Sequence, residues 1–224
     1  MKHPLIGLLA VIAAASAVPA HAAIQITEVA PWSSGNSPVA KDWFELTNTG
    51  ASAVSIAGWK MDDDSGSFAS AAALTGIASI GAGESVIFIE GGNSTINASF
   101  LNTWFGANAP AGLQIGSYSG SGVGLSTGSD AVNIFNNAGV LQASVSFGAS
   151  PTGTFATFDN AAGLSGTTIS QLSAVGVNGA FVAVNDVNEI GSPGAIAAVP
   201  EADTYAMMLA GLGLIGAALR KRQS

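Results

Sequence analysis

The sequence contains no cysteine, and its only two histidines, His3 and His21, lie within the first 22 residues. Everything after this start therefore lacks both a thiol and an imidazole. Ser-His-Asp and Cys-His nucleophilic systems need these groups, as do His- or Cys-ligated zinc and haem sites. We therefore predict a protein that is not an enzyme, needs no cofactor and holds no disulfide bond.

Positive charge is also scarce. Between residues 23 and 199 two lysines and no arginine stand against twelve acidic residues, a net charge of −10. Affinity for phosphates comes chiefly from Lys and Arg, so this composition excludes a nucleic acid as partner. Charged residues make up 9% of the chain, far below the ~25% of an average globular protein. A weakly charged, polar surface of this kind suits an extracellular protein.

The N-terminal segment has the pattern of a secretory signal peptide. Lys2 supplies a positive start, residues 5–17 form an apolar run, and Ala20 and Ala22 make a small-x-small site. Signal peptidase reads this combination. We predict that residues 1–22 are removed by cleavage before Ala23.

The C-terminal segment has the pattern of a membrane helix. Residues 205–219 carry no charge and are followed at once by Arg220, Lys221 and Arg222. The run is short for a bilayer, which usually needs ~20 residues. Lys and Arg beside a membrane segment stay on the cytoplasmic side, which places the preceding domain outside. We predict a transmembrane helix at 204–219 with a basic end at 220–222.

Val199, Pro200 and Glu201 precede this apolar run. The order of Pro-Glu motif, apolar helix and basic end resembles a PEP-CTERM sorting signal, here over residues 199–224. Ala202 departs from the family pattern, in which proline is commonest at that position. The resemblance implies export, transient membrane anchoring, processing by an exosortase near the motif, and a final place at the cell surface or outside it.

The central region, residues 23–198, reads as strands and turns. Apolar and polar residues alternate at 24–29 and 42–48, which predicts half-buried strands. Residues 86–89 are apolar on both faces and predict a central strand. Residues 131–147 form a hairpin pattern around an Asn-Ala-Gly turn. Many short strands of this kind predict an all-β antiparallel sandwich, with one short helix within 94–109 at a sandwich edge.

Six segments of this region carry a shared pattern: 26–29, 42–48, 56–59, 80–84, 130–134 and 191–194. They include a W-x-E-L-x-N motif at 43–48 and an I-x-G-W motif at 56–59. With these segments most of the region resembles the lamin-tail domain. The resemblance implies an immunoglobulin-like antiparallel β-sandwich that has no catalytic residues of its own and serves binding or structure.

Asp62, Asp63 and Asp64 are the only metal candidates that the sequence suggests. Calcium prefers several carboxylate or carbonyl oxygens, but Gly66 falls one position too early for an EF-hand loop. We expect a solvated acidic turn at this place. The Gly-rich segment 120–128 has no following lysine or helix, so we expect a flexible loop rather than a phosphate site.

Two carboxylates alone suffice for a glycosidase. Asp42 and Glu45 are close in sequence, but an odd separation sends them to opposite faces of a strand, and pairing would need Glu28 or Glu90. Trp43 lies opposite the apolar positions of its strand. It would suit a sugar platform, although we expect a packed side chain.

These patterns together predict an exported, non-catalytic surface or extracellular-matrix protein with a structural or adhesive sandwich. Its expected partners are signal peptidase and exosortase as processing enzymes, the membrane through the C-terminal helix, and extracellular polysaccharide. The alternatives are a glycan- or calcium-binding module and a carboxylate-dependent glycosidase.

Overall fold

The structure is a computed structural model that describes residues 24–32, 40–151, 153 and 155–195. The predicted signal peptide and the predicted sorting segment with its membrane helix lie outside the described residues. Within those residues, no helix is long and apolar enough to cross a membrane.

The described residues contain fifteen strands and one helix. In chain order they are β1 (Ile24–Ala30), β2 (Trp43–Asn48), β3 (Val54–Ser55), β4 (Lys60–Asp62), β5 (Ala72–Ala73), β6 (Ser79–Ile80), β7 (Ser85–Glu90), α1 (Ser94–Phe105), β8 (Ile115–Tyr118), β9 (Asp130–Phe135), β10 (Leu141–Phe147), β11 (Phe155–Ala156), β12 (Phe158–Asp159), β13 (Thr167–Ile169), β14 (Phe181–Ala183) and β15 (Asp186–Gly191).

Two five-stranded sheets form the body of the domain. The first sheet has the order β12-β1-β2-β7-β8 and the second the order β13-β10-β9-β4-β5. A three-stranded sheet, β11-β15-β14, and the small pair β3-β6 complete the described strands. The predicted all-β class is confirmed, and β9 and β10 form the predicted hairpin.

The predicted antiparallel pairing holds for eight of the eleven described strand pairs and fails at three. β7 with β8, β10 with β13, and β11 with β15 pair in parallel. Parallel neighbours need a long crossover connection. The chain supplies one in each case, because α1 separates β7 from β8 and long loops with short strands separate the other two pairs.

The facing sides of the two large sheets enclose an apolar core. Phe44 in β2 is fully buried, and its ring stacks on Phe88 at 5.6 Å and approaches Tyr118 at 5.3 Å. The second sheet contributes Met61 and Val132, which are also fully buried. We call this region the inner core. Strand β7 is buried on both faces from Val86 to Ile89, as its sequence predicts.

The outer face of the first sheet has a second layer of packing. Helix α1 begins after Asn93, whose side chain accepts hydrogen bonds from two backbone N–H groups of the first turn. Its Phe100 and Trp104 rings lie 5.4 and 5.7 Å from the ring of Trp43. Trp43 is therefore a packed side chain, as expected. The helix is confirmed, but its predicted place at a sandwich edge is wrong because its aromatic residues cover the outer face of the sheet.

Candidate functional site

A β-bulge in β1 creates the most unusual local environment in the described structure. Ile26 pairs with Leu46, but the next paired position is Glu28 with Glu45, so Thr27 is an extra residue. A bulge bends a strand and redirects its side chains. Ile26 and Val29 both point into the inner core, whereas Thr27 and Glu28 both make their contacts on the outer face. The strict alternation predicted for 24–29 is therefore wrong at the bulge.

Glu28 and Glu45 are cross-strand neighbours on this outer face. Each has only 1% of its surface exposed. Side chains that are directly opposite in an antiparallel pair lie ~5 Å apart at Cβ, so the two carboxyl groups share one enclosed environment. We call this pair, with its hydrogen-bonding partners, the acidic layer.

Hydroxyl and backbone donors surround the two carboxyl groups. Thr27 Oγ1 donates to Glu45 Oε1 at 2.6 Å, and Gly194 N donates to Glu45 Oε2 at 2.7 Å. Glu28 Oε1 accepts from Thr157 Oγ1 and, at 2.7 Å, from Ser192 N. Glu28 Oε2 is buried, and no hydrogen-bond partner for it lies among the described residues.

Burial dominates the protonation of both groups. Loss of water raises the pKa of Glu28 well above its usual range, and the neighbouring Glu45 raises it further. Burial also raises the pKa of Glu45 from 4.5 to about 7, with the bonds from Thr27 and Gly194 opposing the rise. Desolvation and a like charge both favour the neutral carboxylic acid. The acidic layer is therefore held largely as protonated carboxyl groups at mildly acidic pH.

Strands β11, β15 and β14 form one small sheet, and the turn at 192–194 that follows β15 contacts both glutamates of the acidic layer. We call this sheet and turn the cover. Gly191 lies directly against Glu28, since a Cβ placed there would stand 2.6 Å from Glu28 Oε1 and 2.9 Å from Trp104. Phe155 and Phe181 pack against the aromatic cluster that α1 forms with Trp43. The cover is therefore in close contact with both the polar and the aromatic parts of the outer face.

The acidic layer bears directly on the glycosidase alternative. The structure does bring Glu28 beside Glu45, as that chemistry would need. Both carboxyl groups are enclosed, however, and a glycosidase pair must flank a bound sugar. Asp42 contributes nothing to this pair, because its Oδ2 accepts from Leu125 N at 2.7 Å in another part of the fold. No substrate can reach the Glu28 and Glu45 pair in this conformation.

The acidic turn at 62–64 differs from the predicted solvated turn. Asp62 is fully buried, and its carboxylate accepts from Ser65 Oγ at 2.6 Å, Ser67 N at 2.7 Å and Ser70 Oγ at 3.0 Å. The prediction of a solvated turn is wrong for Asp62 because these donors replace water. Asp62 therefore acts as the hydrogen-bonding centre of its own turn.

Asp63 and Asp64 are joined by a residue distant in sequence, Asp130, whose carboxylate oxygen lies within 4.8 Å of theirs. Burial and the neighbouring carboxylates raise the pKa of Asp63, although the bond from Ser65 N opposes the rise. Asp130 also accepts from Asp64 N at 3.0 Å. The sequence did not reveal Asp130 as part of this cluster, because only the meeting of β4 and β9 brings it there.

The Gly-rich segment 120–128 is held by hydrogen bonds and by packing against the inner core. Val123 and Leu125 are buried in the inner core. Leu125 N donates to Asp42, and Ser126 N donates to Asp130 Oδ2 at 2.6 Å. A phosphate loop needs free N–H groups of this kind, and here carboxylates of the same chain occupy them. The contacts of Leu125 and Ser126 therefore join this segment to the rest of the domain, and its assignment as no phosphate site stays a prediction.

A comparison with protein-family models gives a match to the lamin tail domain over residues 17–149, more than half of the chain. The chain belongs to the lamin tail domain family. The match begins ahead of the predicted signal cleavage and ends just after β10. A second model, the PEP-CTERM protein-sorting motif, matches residues 198–223. Searches of curated proteins and of solved structures returned no match.

Only part of the acidic layer lies within the region that matches the lamin tail domain. Glu28 and Glu45 lie inside the matched region, whereas their partners Thr157, Ser192 and Gly194 lie beyond it. Sequence reasoning named both glutamates as carboxylates, yet it did not place them together or find these partners. The sequence carried one signal of the bulge. Thr27 and Glu28 are two consecutive polar residues, which breaks the alternation of apolar and polar residues just before Val29.

Proposed function

We propose that this chain is an exported, non-catalytic protein of the cell surface or extracellular matrix, whose lamin tail sandwich acts as a structural or adhesive module. The observation that carries the proposal is the match to the PEP-CTERM protein-sorting motif at 198–223. This motif is a sorting signal of exported proteins that an exosortase processes. Neither of the two matching families is a known enzyme family, which supports a binding or structural role.

The proposed route has three steps. Signal peptidase removes residues 1–22, and the domain then folds outside the membrane. The segment at 204–219 holds the chain in the membrane while Arg220, Lys221 and Arg222 fix its cytoplasmic end. An exosortase finally cleaves near Pro200 and Glu201, which releases or transfers the domain.

The environment of the carboxylates supports a non-catalytic role. The described domain has no histidine or cysteine, and Glu28, Glu45 and Asp62 are enclosed by hydrogen-bonding partners of the same chain. Extracellular polysaccharide remains the proposed matrix partner, because a polar surface of low charge density suits a neutral, hydrated polymer.

Intact-mass analysis of secreted and membrane fractions from the native host tests the sorting route. Replacing Pro200 and Glu201 with Ala should leave an uncleaved, membrane-bound chain. Asp203→Asn is the matched control, since it alters a neighbouring charge and keeps the motif. A mature wild-type protein that still ends at Ser224 would show that the segment is an ordinary anchor.

Calorimetry of the secreted protein with matrix polysaccharide from the same host tests the adhesive role. We expect heat of binding that persists in chelator. A protein that reaches the surface correctly and shows no binding would leave the sorting route intact and refute adhesion through polysaccharide.

A further inference from the structure

The turn at 192–194 is held in a way that no other described turn shares. Its two backbone donors on either side of Pro193 go to two different buried glutamates. Ser192 N donates to Glu28 and Gly194 N donates to Glu45, each at 2.7 Å. We call residues 192–194 the exit turn, because the chain leaves the described domain just after it.

The carboxyl groups that hold the exit turn have no described cation to balance them. The lysines in the described residues are Lys41 and Lys60, and they lie near Gly91 and over the Phe68 ring. The other titratable groups near the acidic layer are also acidic. Asp159 in β12 pairs with Glu28 across the ladder, and Glu189 in β15 is buried two residues before Gly191.

Among the described elements, the others around the acidic layer carry no charge that faces it. Helix α1 and strands β11 and β14 contain no ionisable residue. Glu90 in β7 lies near Asp42 instead. The carboxylates of both residues are close to Gly124, since each would contact a Cβ placed on that glycine. Burial therefore favours the protonated form of Glu28 and Glu45 in the closed structure.

We propose that Glu28 and Glu45 form a proton-operated latch, which holds the exit turn closed while the two carboxyl groups are protonated and releases it when they ionise. Two adjacent carboxylates in an enclosed site repel each other and lack water. Opening of the exit turn admits water to both groups and relieves that cost. The hydrogen bonds from Ser192 and Gly194 oppose release but do not outweigh burial.

Hydrogen–deuterium exchange of the full chain in detergent tests the latch. The amide of Gly194, which donates to Glu45, should lose protection on the order of a hundredfold between pH 5 and pH 8, after correction for the intrinsic pH dependence of exchange. The amide of Ser192, which donates to Glu28, should lose protection in the same direction. Strand β7 serves as the internal control and should keep its protection over the same range.

Glu28→Gln and Glu45→Gln, singly and together, remove the ionisable groups and keep their shape. The double variant should hold the exit turn equally well at pH 5 and pH 8. Asp64→Asn is the matched control, since it removes one exposed charge away from the latch, and the exit turn should open with pH as in the wild type. A pH-dependent loss of protection that survives in the double variant would overturn the proposal.

A measurement on the wild type alone guards against misfolding of the variants. The infrared band of protonated carboxyl groups should persist at pH 6 in the folded chain and disappear in urea. Its absence at pH 6 would show that both glutamates are already ionised in the closed structure, which the latch does not allow. Failure of processing in the host, with the exchange result intact, would count against the sorting route alone.

Discussion

The inner face of the first sheet buries apolar side chains, whereas its outer face buries two carboxyl groups. The inner face packs Phe44, Leu46 and Phe88 against another apolar surface, where burial itself is favourable. The outer face buries Glu28 and Glu45 from the same pair of strands, where burial is costly unless the groups are neutral and hydrogen-bonded. One sheet therefore carries an apolar core on its inner side, and on its outer side a contact that depends on the protonation of two carboxyl groups.

The largest expected effect is on the inner core. Phe44→Ala should lower the free energy of unfolding by about 3–5 kcal/mol, because it removes a fully buried ring and leaves a cavity. Urea unfolding measures the loss. Val187→Ala is the control, since Val187 is 78% exposed and should change stability by less than ~0.5 kcal/mol. A loss below about 1 kcal/mol at Phe44 would mean that the inner face is not the main core.

The second prediction separates the two faces by pH. Glu28 and Glu45 bind protons more tightly in the folded chain than in the unfolded chain. The contribution of Glu45 to stability is therefore full below pH 4.5 and is lost as the pH rises through about 7. For Glu45 the rise in pKa corresponds to a loss of about 3 kcal/mol.

Urea unfolding at a series of pH values measures this slope. Glu45→Gln should flatten most of it, and Asp64→Asn should not, which distinguishes the latch from general repulsion in an acidic protein. Wild-type stability that increases between pH 5 and pH 8 would contradict the prediction. The inner-core variant Phe44→Ala should keep the wild-type slope, because it leaves the outer face unchanged.

The third prediction tests how tightly the cover fits. Gly191→Ala should cost about 1–3 kcal/mol, since the new methyl group would overlap Glu28 Oε1, Trp104 and Thr157. Gly148→Ala is the matched control, because nothing lies within 4 Å of a Cβ at that position. Equal melting temperatures for the two variants would show that the cover yields easily.

The fourth prediction concerns Asp62, a buried carboxylate that accepts three hydrogen bonds, unlike the acidic layer, where Glu28 Oε2 has no described partner. Asp62→Asn should lower stability by about 1–2 kcal/mol, because the amide cannot accept at both of its terminal atoms. Asp64→Asn should change stability by less than ~0.5 kcal/mol, since Asp64 is exposed. A larger loss of stability for Asp64→Asn than for Asp62→Asn would contradict the structural role of Asp62.

The smallest expected effect is that of calcium. The melting temperature of the wild type should differ by no more than about 1 °C between calcium and chelator. The reason is that the turn at 62–64 is already organised by hydrogen bonds from Ser65, Ser67 and Ser70. A decrease of several degrees on chelation would identify Asp63, Asp64 and Asp130 as a metal site.

The sequence predicted local features well where the periodicity was simple. Residues 86–89 and the hairpin at 131–147 follow their predictions because alternation and turn residues act over a few neighbours. The helix at Ser94–Phe105 was found for the same reason. Its place was not, since the surface that a helix covers depends on the elements that meet it.

The sequence by itself determined that the region after residue 22 has no thiol or imidazole and that its central part is an all-β domain, because residue types and short periodicities are written along the chain. Only the tertiary structure decided that Glu28 lies beside Glu45 under Ser192 and Gly194. One extra residue at Thr27 redirects Glu28, and contacts 149 and 164 residues apart close the layer. Desolvation depends on everything that surrounds a group, so the protonation of these glutamates cannot be read from the residues next to them.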